Sequence, residues 1–422
     1  MLHDSPLWHP YTRLSAVRED GVPVIARGEG SWLIADDGTR FFDGTSSWWC
    51  ANLGHNHPRV VEAIRVQAGL LDHSILGHLA HPGALALAQR LATAMPSPDR
   101  KTLFASDGST AVESALKVAV ACWRNRGRPE KSGFASLERP YHGDTVGAMS
   151  VGALPDFHAP YADLLFPVRT LPVPADEPAV ADALRRAREV LAPAATRLAA
   201  VVVEPLVQGS AGMRIYPAAY LRGLADLCRE LELLLIVDEI AMGFGRTGRR
   251  FAFEHAGIDP DLVCLGKGLS GGALPISALV ARASIWADFS DSPAADRTFY
   301  HGHTYGGNPI ACAAALAAWE VYQAEAIPER VDRLSALWRA AEPELLRLPG
   351  VRATRRLGFV WVVERSPDRA ADAPALRRRC RDLGLLVRPL GEVVYLLPPL
   401  ITPEAELGWA VDRLAEALRA EG

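Results

Sequence analysis

Two short apolar runs constrain the fold more than any other feature of the chain. LAAVVVEPLV, from Leu198, and LELLLIVDEI, from Leu231, are built of leucine, alanine and β-branched residues, and they run into acidic groups: Glu204 in the first, Asp238 and Glu239 in the second. Runs of this kind read as strands buried on both faces. A third, DLVCLG, from Asp261, leads directly into Lys267. Before them lie segments of helical period, PGALALAQRLATAM from Pro82 and STAVESALKVAVACW from Ser109. Strands alternating with helices predict a mostly parallel α/β sheet covered on both faces. In such sheets ligands collect at the carboxyl ends of the strands, where Glu204, Asp238, Glu239 and Lys267 are all expected.

The texture changes after about residue 325. IPERVDRLSALWRAAEPELLRL reads as a charged amphipathic helix, GFVWVVE and VVYLLPP as short strands, and a last helix is expected from about Pro403. Near the start, GSWLIADDGTRFFDG has the pattern of a hairpin. Residues 45–325 are therefore expected to form a large domain and residues 326–422 a smaller α+β domain, with residues 1–44 packed as part of the latter. The chain, at 422 residues, is long enough for both.

Charge narrows the function. Lysine and arginine number 45 against 49 aspartate and glutamate, a net charge of −4 without a long run of one sign. That leaves no electrostatic footprint for nucleic acid or an anionic membrane surface, and no segment approaches the roughly 20 apolar residues of a membrane span. The start, MLHDSPLWHPYT, lacks a basic region followed by an apolar core. Six singly scattered cysteines fit reduced thiols. The pairs His55/His57, His78/His81 and His301/His303 lack carboxylates at ligand spacing, so no metal is expected. The expectation is a soluble cytoplasmic protein acting on small molecules.

Lys267 lies in CLGKGLSGG, between strand residues and glycines too small to shield a charge. An isolated lysine after a strand is usually a surface charge. Nearby, GFGRTG, Gly243 to Gly248, matches the glycine fingerprint of dinucleotide binding and follows a strand. Its continuation, RRFAFEHAGIDPD, is too short for the long helix that fingerprint opens, and Asp238 and Glu239 would oppose a pyrophosphate. A different pairing fits better. Asp238 and Lys267 are 29 residues apart, one strand-loop-strand step. A cofactor that is both an aldehyde and a pyridine needs a lysine to hold the aldehyde covalently, and an acid to keep the ring nitrogen protonated as an electron sink. In SDGSTAVESALK, Gly108, Ser109 and Thr110 begin a helix whose N–H groups favour a phosphate. Taken singly, these are ordinary surface groups and helix caps; their order and spacing together point to pyridoxal 5'-phosphate.

These residues also carry a family pattern. VDEIAMGFGRTGRRFAFEH followed by DLVCLGKGLSGG, with GSTAVESALK, YHGDT, VEPLVQG and HTYGGNPIACAAA, resembles the class III branch of the fold-type I pyridoxal-phosphate aminotransferases over nearly the whole chain. The resemblance implies a mostly parallel seven-stranded sheet between helices in the large domain. It makes Lys267 the covalent anchor and proton carrier, pairs Asp238 with the pyridine nitrogen, and puts Ile240 beneath the ring and Tyr141 on its other face. Gly108 and Ser109 would hold the phosphate. Thr304 would reach the phosphate of the neighbouring subunit, which implies a homodimer with each site at the subunit interface.

A narrower resemblance concerns the substrate. WHPYT, SSWWCANLGHNHP, YHGDT and VRPLGEVVYLLPP are similar to the 7,8-diaminopelargonate synthases of biotin biosynthesis, which pass an amino group to 8-amino-7-oxononanoate, usually from S-adenosylmethionine. By that resemblance Tyr11, Trp48 and Trp49 line the substrate pocket, Tyr141 and Asp144 position the substrates, Gly302 lies against substrate, and Arg388 binds the carboxylate of the oxo-acid. Aromatic walls and one arginine suit a long apolar chain ending in a carboxylate; core tryptophans and a surface ion pair are the plainer readings of the same residues. His303, just before Thr304, stands where many S-adenosylmethionine users carry proline and is more like the branch that uses lysine, whereas Trp48 and Trp49 match the S-adenosylmethionine users. The expectation is S-adenosylmethionine, with lysine as the alternative donor and a general class III ω-aminotransferase as the nearest alternative function. More distant alternatives are separable. A decarboxylase or aminomutase of this fold would differ in its products, a dinucleotide-dependent oxidoreductase would need Gly243 for nicotinamide binding, and a non-catalytic binding protein would keep its function after Lys267→Ala.

Overall fold

The computed structural model describes residues 6–152, 154–291 and 295–420. Seven strands form the central sheet, in the spatial order Lys101–Ala105, Ser277–Ala281, Leu262–Leu265, Leu234–Asp238, Leu198–Val203, Gly133–Leu137 and Val168–Leu171. Only Ser277–Ala281 runs antiparallel to its neighbours; the other pairings are parallel. The three acid- or lysine-tipped runs of the sequence are adjacent in its middle and buried at every position. They lack polar alternation because both faces are covered. Leu234, Ile236, Leu262 and Cys264 pack on one face with Ala111, Val112 and Ala115 of the helix Gly108–Asn125, while Leu235, Val237, Val263 and Leu265 face the larger core on the other side.

The helix Gly108–Asn125 starts one residue earlier than its apolar period suggests because Asp107 caps it. The Asp107 carboxylate accepts the Thr110 N–H at 3.0 Å, and the Thr110 hydroxyl accepts the Asp107 N–H at 3.0 Å, a reciprocal box that satisfies two otherwise unpaired donors. The helix Pro82–Thr93 ends two residues before its expected limit at Met95.

The two ends of the chain meet. The hairpin Trp32–Ala35 and Arg40–Asp43 forms as expected, with Ile25–Glu29 on one side and Leu385–Leu386 parallel to Arg40–Asp43 on the other. A separate antiparallel sheet, Val351–Leu357, Val360–Arg365 and Val393–Leu396, accompanies the helices Ile327–Leu345, Ala373–Asp382 and Glu404–Arg419. The GFGRTG segment opens no long helix: one short 3-10 turn, Ala252–Ala256, follows it, and the loop lies against the helix Ile327–Leu345. No described helix is long and apolar enough to cross a membrane.

The glycines after Lys267 have a packing reason. Gly272 has φ +90°, and a Cβ there would lie 2.5 Å from the Ala51 Cα and the Cys50 carbonyl oxygen. The backbone behind the lysine is thus packed directly against the backbone that carries the tryptophan pair, an approach only glycine permits.

Glu239, at the end of the strand Leu234–Asp238, turns away from the sheet's ligand edge and into the protein. One carboxylate oxygen accepts the Phe253 N–H at 2.8 Å, and the other is buried without a partner. Burial pushes its pKa from the usual 4.5 up to about 8. A raised acid pKa means that the stability tied to the bound proton is fully present below 4.5 and is lost as pH rises towards 8. Glu239→Gln, which mimics the protonated side chain, is therefore expected to gain stability relative to the parent by on the order of 1.4 kcal/mol per pH unit across that window. Urea unfolding of both proteins at pH 5 and pH 8 measures this; a difference independent of pH would refute it.

Candidate active site

A cavity of about 450 Å³ opens over the carboxyl ends of the central strands, lined by Lys267, Asp238, Ile240, Gly108, Ser109 and Tyr141 together with Tyr11, Trp48, Trp49, Asp144 and Arg388. The sheet register explains the first two. Asp238 pairs with Cys264 on the parallel neighbouring strand, and Lys267 follows three residues later. Burial lowers the pKa of the Lys267 amine, and the negative charge of Asp238 opposes that shift. Its Nζ lies 5.2 Å from the centre of the Trp49 ring.

Asp238 is buried but fully engaged. One oxygen accepts the Ile240 N–H at 3.0 Å and the other lies 2.7 Å from Nδ1 of His142. His142 is itself buried, and its Nε2 has no partner. Beside it, Glu204 holds two backbone segments: its oxygens accept the Tyr141 N–H at 3.0 Å and the Gly209 N–H at 2.9 Å. Burial raises the Glu204 pKa to about 7.

The arrangement fits a phosphorylated pyridine aldehyde. An amine and a carboxyl group face one cavity, and the first turn of an 18-residue helix supplies N–H groups and the Ser109 hydroxyl at its edge. A Cβ on Gly108 would lie 2.9 Å from Cγ2 of Ile240, so a larger residue at the helix start would push that apolar side chain away. Tyr141 supplies an aromatic face to the same cavity.

The outer half of the cavity is aromatic. The Tyr11 hydroxyl donates to Asp144 at 2.5 Å and the Tyr141 hydroxyl donates to the same oxygen at 3.0 Å. Burial and this hydrogen bond push the Tyr11 pKa up to about 12. Trp48 meets Tyr11 edge-on at 5.7 Å, and the Arg388 guanidinium lies 4.9 Å from the Trp48 ring and 5.4 Å from the Tyr11 ring. Among the described residues, no carboxylate forms an ion pair with Arg388.

The tryptophan pair sits on an unusual backbone. Ser46, Ser47, Trp48 and Trp49 all have positive φ, from 47° to 68°, a left-handed turn that costs roughly 1–2 kcal/mol for each L-residue.

Gly302 and Thr304 are exposed and lie outside the cavity of their own chain. His303 is half-buried and packs at right angles to His301, 5.0 Å away. Sequence reading missed several lining groups. His142 was present in the YHGDT motif but overshadowed by its neighbour. Phe157, on the short turn Pro155–His158, meets Tyr11 at 5.6 Å and Tyr141 at 6.4 Å. Tyr395 accepts the Trp49 indole N–H at 3.2 Å. Neither has a local signature, because each contact joins distant parts of the chain.

A family model for class-III aminotransferases matches residues 15–418. Among curated relatives, the adenosylmethionine-8-amino-7-oxononanoate aminotransferase of Synechococcus elongatus is 42% identical over 95% of each chain. The protein of that name from Geobacter sulfurreducens is 36% identical over 98% of this chain and 95% of its own. The crystal structure of the Methanocaldococcus jannaschii protein of the same name matches with a TM-score of 0.94 at 34% identity, covering 99% of this chain and 98% of that one. An amine transaminase from an uncultivated Pseudomonas species, in its PLP-bound form, matches equally well, with a TM-score of 0.94 at 33% identity over 99% of each chain. With Lys267 and Asp238 converging at the carboxyl edge of a seven-stranded sheet, the chain belongs to the class-III aminotransferases, which are pyridoxal-phosphate-dependent transaminases.

Proposed function

We propose that this enzyme transfers an amino group to 8-amino-7-oxononanoate, giving 7,8-diaminononanoate in biotin biosynthesis, with S-adenosylmethionine as donor. The observation that carries the reading is Arg388, stacked on Tyr11 and Trp48 at the aromatic end of the cavity. An acceptor with a long methylene chain and a terminal carboxylate needs such a pairing of apolar walls with one guanidinium. The names of the relatives support the same acceptor. The amine transaminase neighbour shares the fold equally well, so the choice of acceptor rests on the pocket.

Pyridoxal phosphate supplies, when bound, a carbonyl to take up the amino group and a ring that accepts electrons. Lys267 would hold it covalently, Asp238 would pair with its ring nitrogen, Tyr141 and Ile240 would pack against the ring, and Gly108 and Ser109 would bind its phosphate. Lys267 also moves the protons. Its depressed pKa favours the neutral amine that removes a proton from the donor's amino-bearing carbon, and in the second half it delivers one to the acceptor's former ketone carbon. Tyr11, Tyr141 and Asp144 form a hydroxyl-carboxylate cluster that orients the amino groups, and Trp48 and Trp49 cover the methylene chain. The donor product leaves before the acceptor binds, so initial rates follow ping-pong kinetics.

The reading extends to assembly. Leu70, Ile75, Leu79, Tyr300 and Tyr305 are exposed, and their two segments touch through His73 and Tyr305, 5.0 Å apart. This apolar surface supports a homodimer in which Gly302 and Thr304 complete the partner's site. The four-stranded sheet built from both chain ends supports residues 1–44 and 326–422 as one unit beside residues 45–325. Six free cysteines fit a cytoplasmic location.

The visible spectrum of the protein reconstituted with pyridoxal phosphate tests the chemistry. A band is expected that S-adenosylmethionine removes and 8-amino-7-oxononanoate restores, whereas Lys267→Ala loses the band and about a thousandfold or more of the activity. Removal by lysine alone would identify lysine as the donor, and a protein that never shows the band would overturn the reading. Arg388→Met is expected to raise KM for 8-amino-7-oxononanoate by about ten- to a hundredfold, as for loss of a charged hydrogen bond, while an acceptor lacking the carboxylate reacts equally well with parent and variant. An unchanged KM would remove Arg388 from the acceptor site. For the assembly, light scattering is expected to give twice the 45.6 kDa chain mass; a monomeric mass in an active preparation would exclude the shared site.

A further inference from the structure

The left-handed turn Ser46–Trp49 needs something to hold it, and one buried carboxylate does so. Asp43 ends the strand Arg40–Asp43, and its side chain is only 2% exposed. One of its oxygens accepts the Ser47 hydroxyl at 2.7 Å and lies 3.0 Å from Nε2 of His55; the other accepts the Thr45 N–H at 3.2 Å. Burial alone would raise the Asp43 pKa, but the hydrogen bonds from His55 and Ser47 outweigh it and keep the group below its usual value, charged. His55 is fixed in turn, because its backbone exchanges hydrogen bonds with Gly30 at 2.7 and 3.2 Å. On the far side of the turn, Ser46 donates to the Leu397 carbonyl at 2.6 Å. Ser47 (φ 47°, ψ 63°) and Trp48 (φ 62°, ψ 44°) sit at its centre, in a conformation that L-residues adopt only where the surroundings impose it.

We propose that Asp43 and His55 are positioning residues for the acceptor: their buried pair holds the left-handed turn that sets both indoles, Trp48 against Arg388 and Trp49 over Lys267. Neither Asp43 nor His55 lines the cavity. The pair acts through Ser47, the residue between the carboxylate and the two tryptophans. The substrate part of the inference rests on the acceptor proposed above; the clamp itself does not.

The distinguishing test uses glycine, which adopts the left-handed region without steric cost. In the full-length protein loaded with pyridoxal phosphate, Asp43→Ala is expected to raise KM for 8-amino-7-oxononanoate at least tenfold, with kcat changed less than threefold and the visible band intact. Adding Ser47→Gly is expected to recover threefold or more of that loss, because the turn no longer needs its clamp. His55→Ala, which leaves the carboxylate in place, changes KM in the same direction. Independently of activity, hydrogen exchange of the Trp49, Cys50 and Ala51 N–H groups, which bond to Thr45 and Ser46 carbonyls at 2.9 Å, is expected to quicken in Asp43→Ala and slow again in the double variant. Unchanged exchange, or a double variant no better than Asp43→Ala in both readouts, overturns the clamp. Altered exchange rescued by glycine, in a parent protein that does not aminate 8-amino-7-oxononanoate, would overturn the proposed acceptor and leave the clamp standing.

Discussion

The site depends on keeping the Asp238 carboxyl group and the Lys267 amine together and away from bulk water. A carboxylate buried at the end of a parallel strand needs hydrogen-bond partners in place of water, and the His142 ring and the Ile240 N–H supply them. That requirement spreads outwards. His142 must be buried to reach Asp238, so the backbone of Tyr141 beside it must be fixed, and Glu204 fixes it. The amine, for its part, sits three residues past the strand position opposite Asp238, and the glycines that follow let its backbone pack against Ala51. Sheet register, a buried histidine and a glycine cluster thus serve one placement, an amine beside a carboxyl group at the sheet's edge.

Strain is the second organising constraint. Tyr11, Trp48, Trp49 and Lys267 all line the cavity, and all have positive φ, at 52°, 62°, 68° and 42°. Each such residue costs about 1–3 kcal/mol and persists only where its neighbours determine its conformation. Lys267 and the aromatic walls of the cavity therefore owe their conformations to the core packed around them. Three of these residues flank one backbone contact, that between Gly272 and Ala51, with Trp48 and Trp49 on one side and Lys267 on the other. That contact couples the placement of the two tryptophans to the placement of Lys267.

The central strands, the acids at their tips and the helix that begins at Gly108 were legible because each has a local signature: an apolar run without polar alternation, a charge at its end, a capping residue. The hairpin near the start was legible for the same reason. The partners that make the site work were not. His142 on Asp238, Tyr395 under Trp49 and Phe157 against Tyr11 are contacts across 96, 346 and 146 positions of sequence, and nothing local records them. Glu239 was misleading in the opposite way. It shares the strand end with Asp238, but adjacent residues of a strand point to opposite faces, and Glu239 turns into the protein towards the Phe253 N–H. The left-handed turn was also hidden, since serine and tryptophan give no sign of positive φ.

Two solved structures named for different activities match this chain with the same TM-score, so selectivity has to come from side chains rather than from the fold. Arg388 shows how that can be done. A guanidinium paired with a carboxylate of its own chain would have to give up that pair to bind a substrate anion, and the exchange would gain little. Stacked on two aromatic faces, Arg388 is held in orientation by ring quadrupoles, while the N–H donors at the edge of its plane stay available. The rings that hold it are also those that wall the cavity. An acceptor that fills the cavity with methylenes therefore displaces water from the same surface that aims the guanidinium, and apolar contact and charge recognition reinforce each other only for a substrate that carries both.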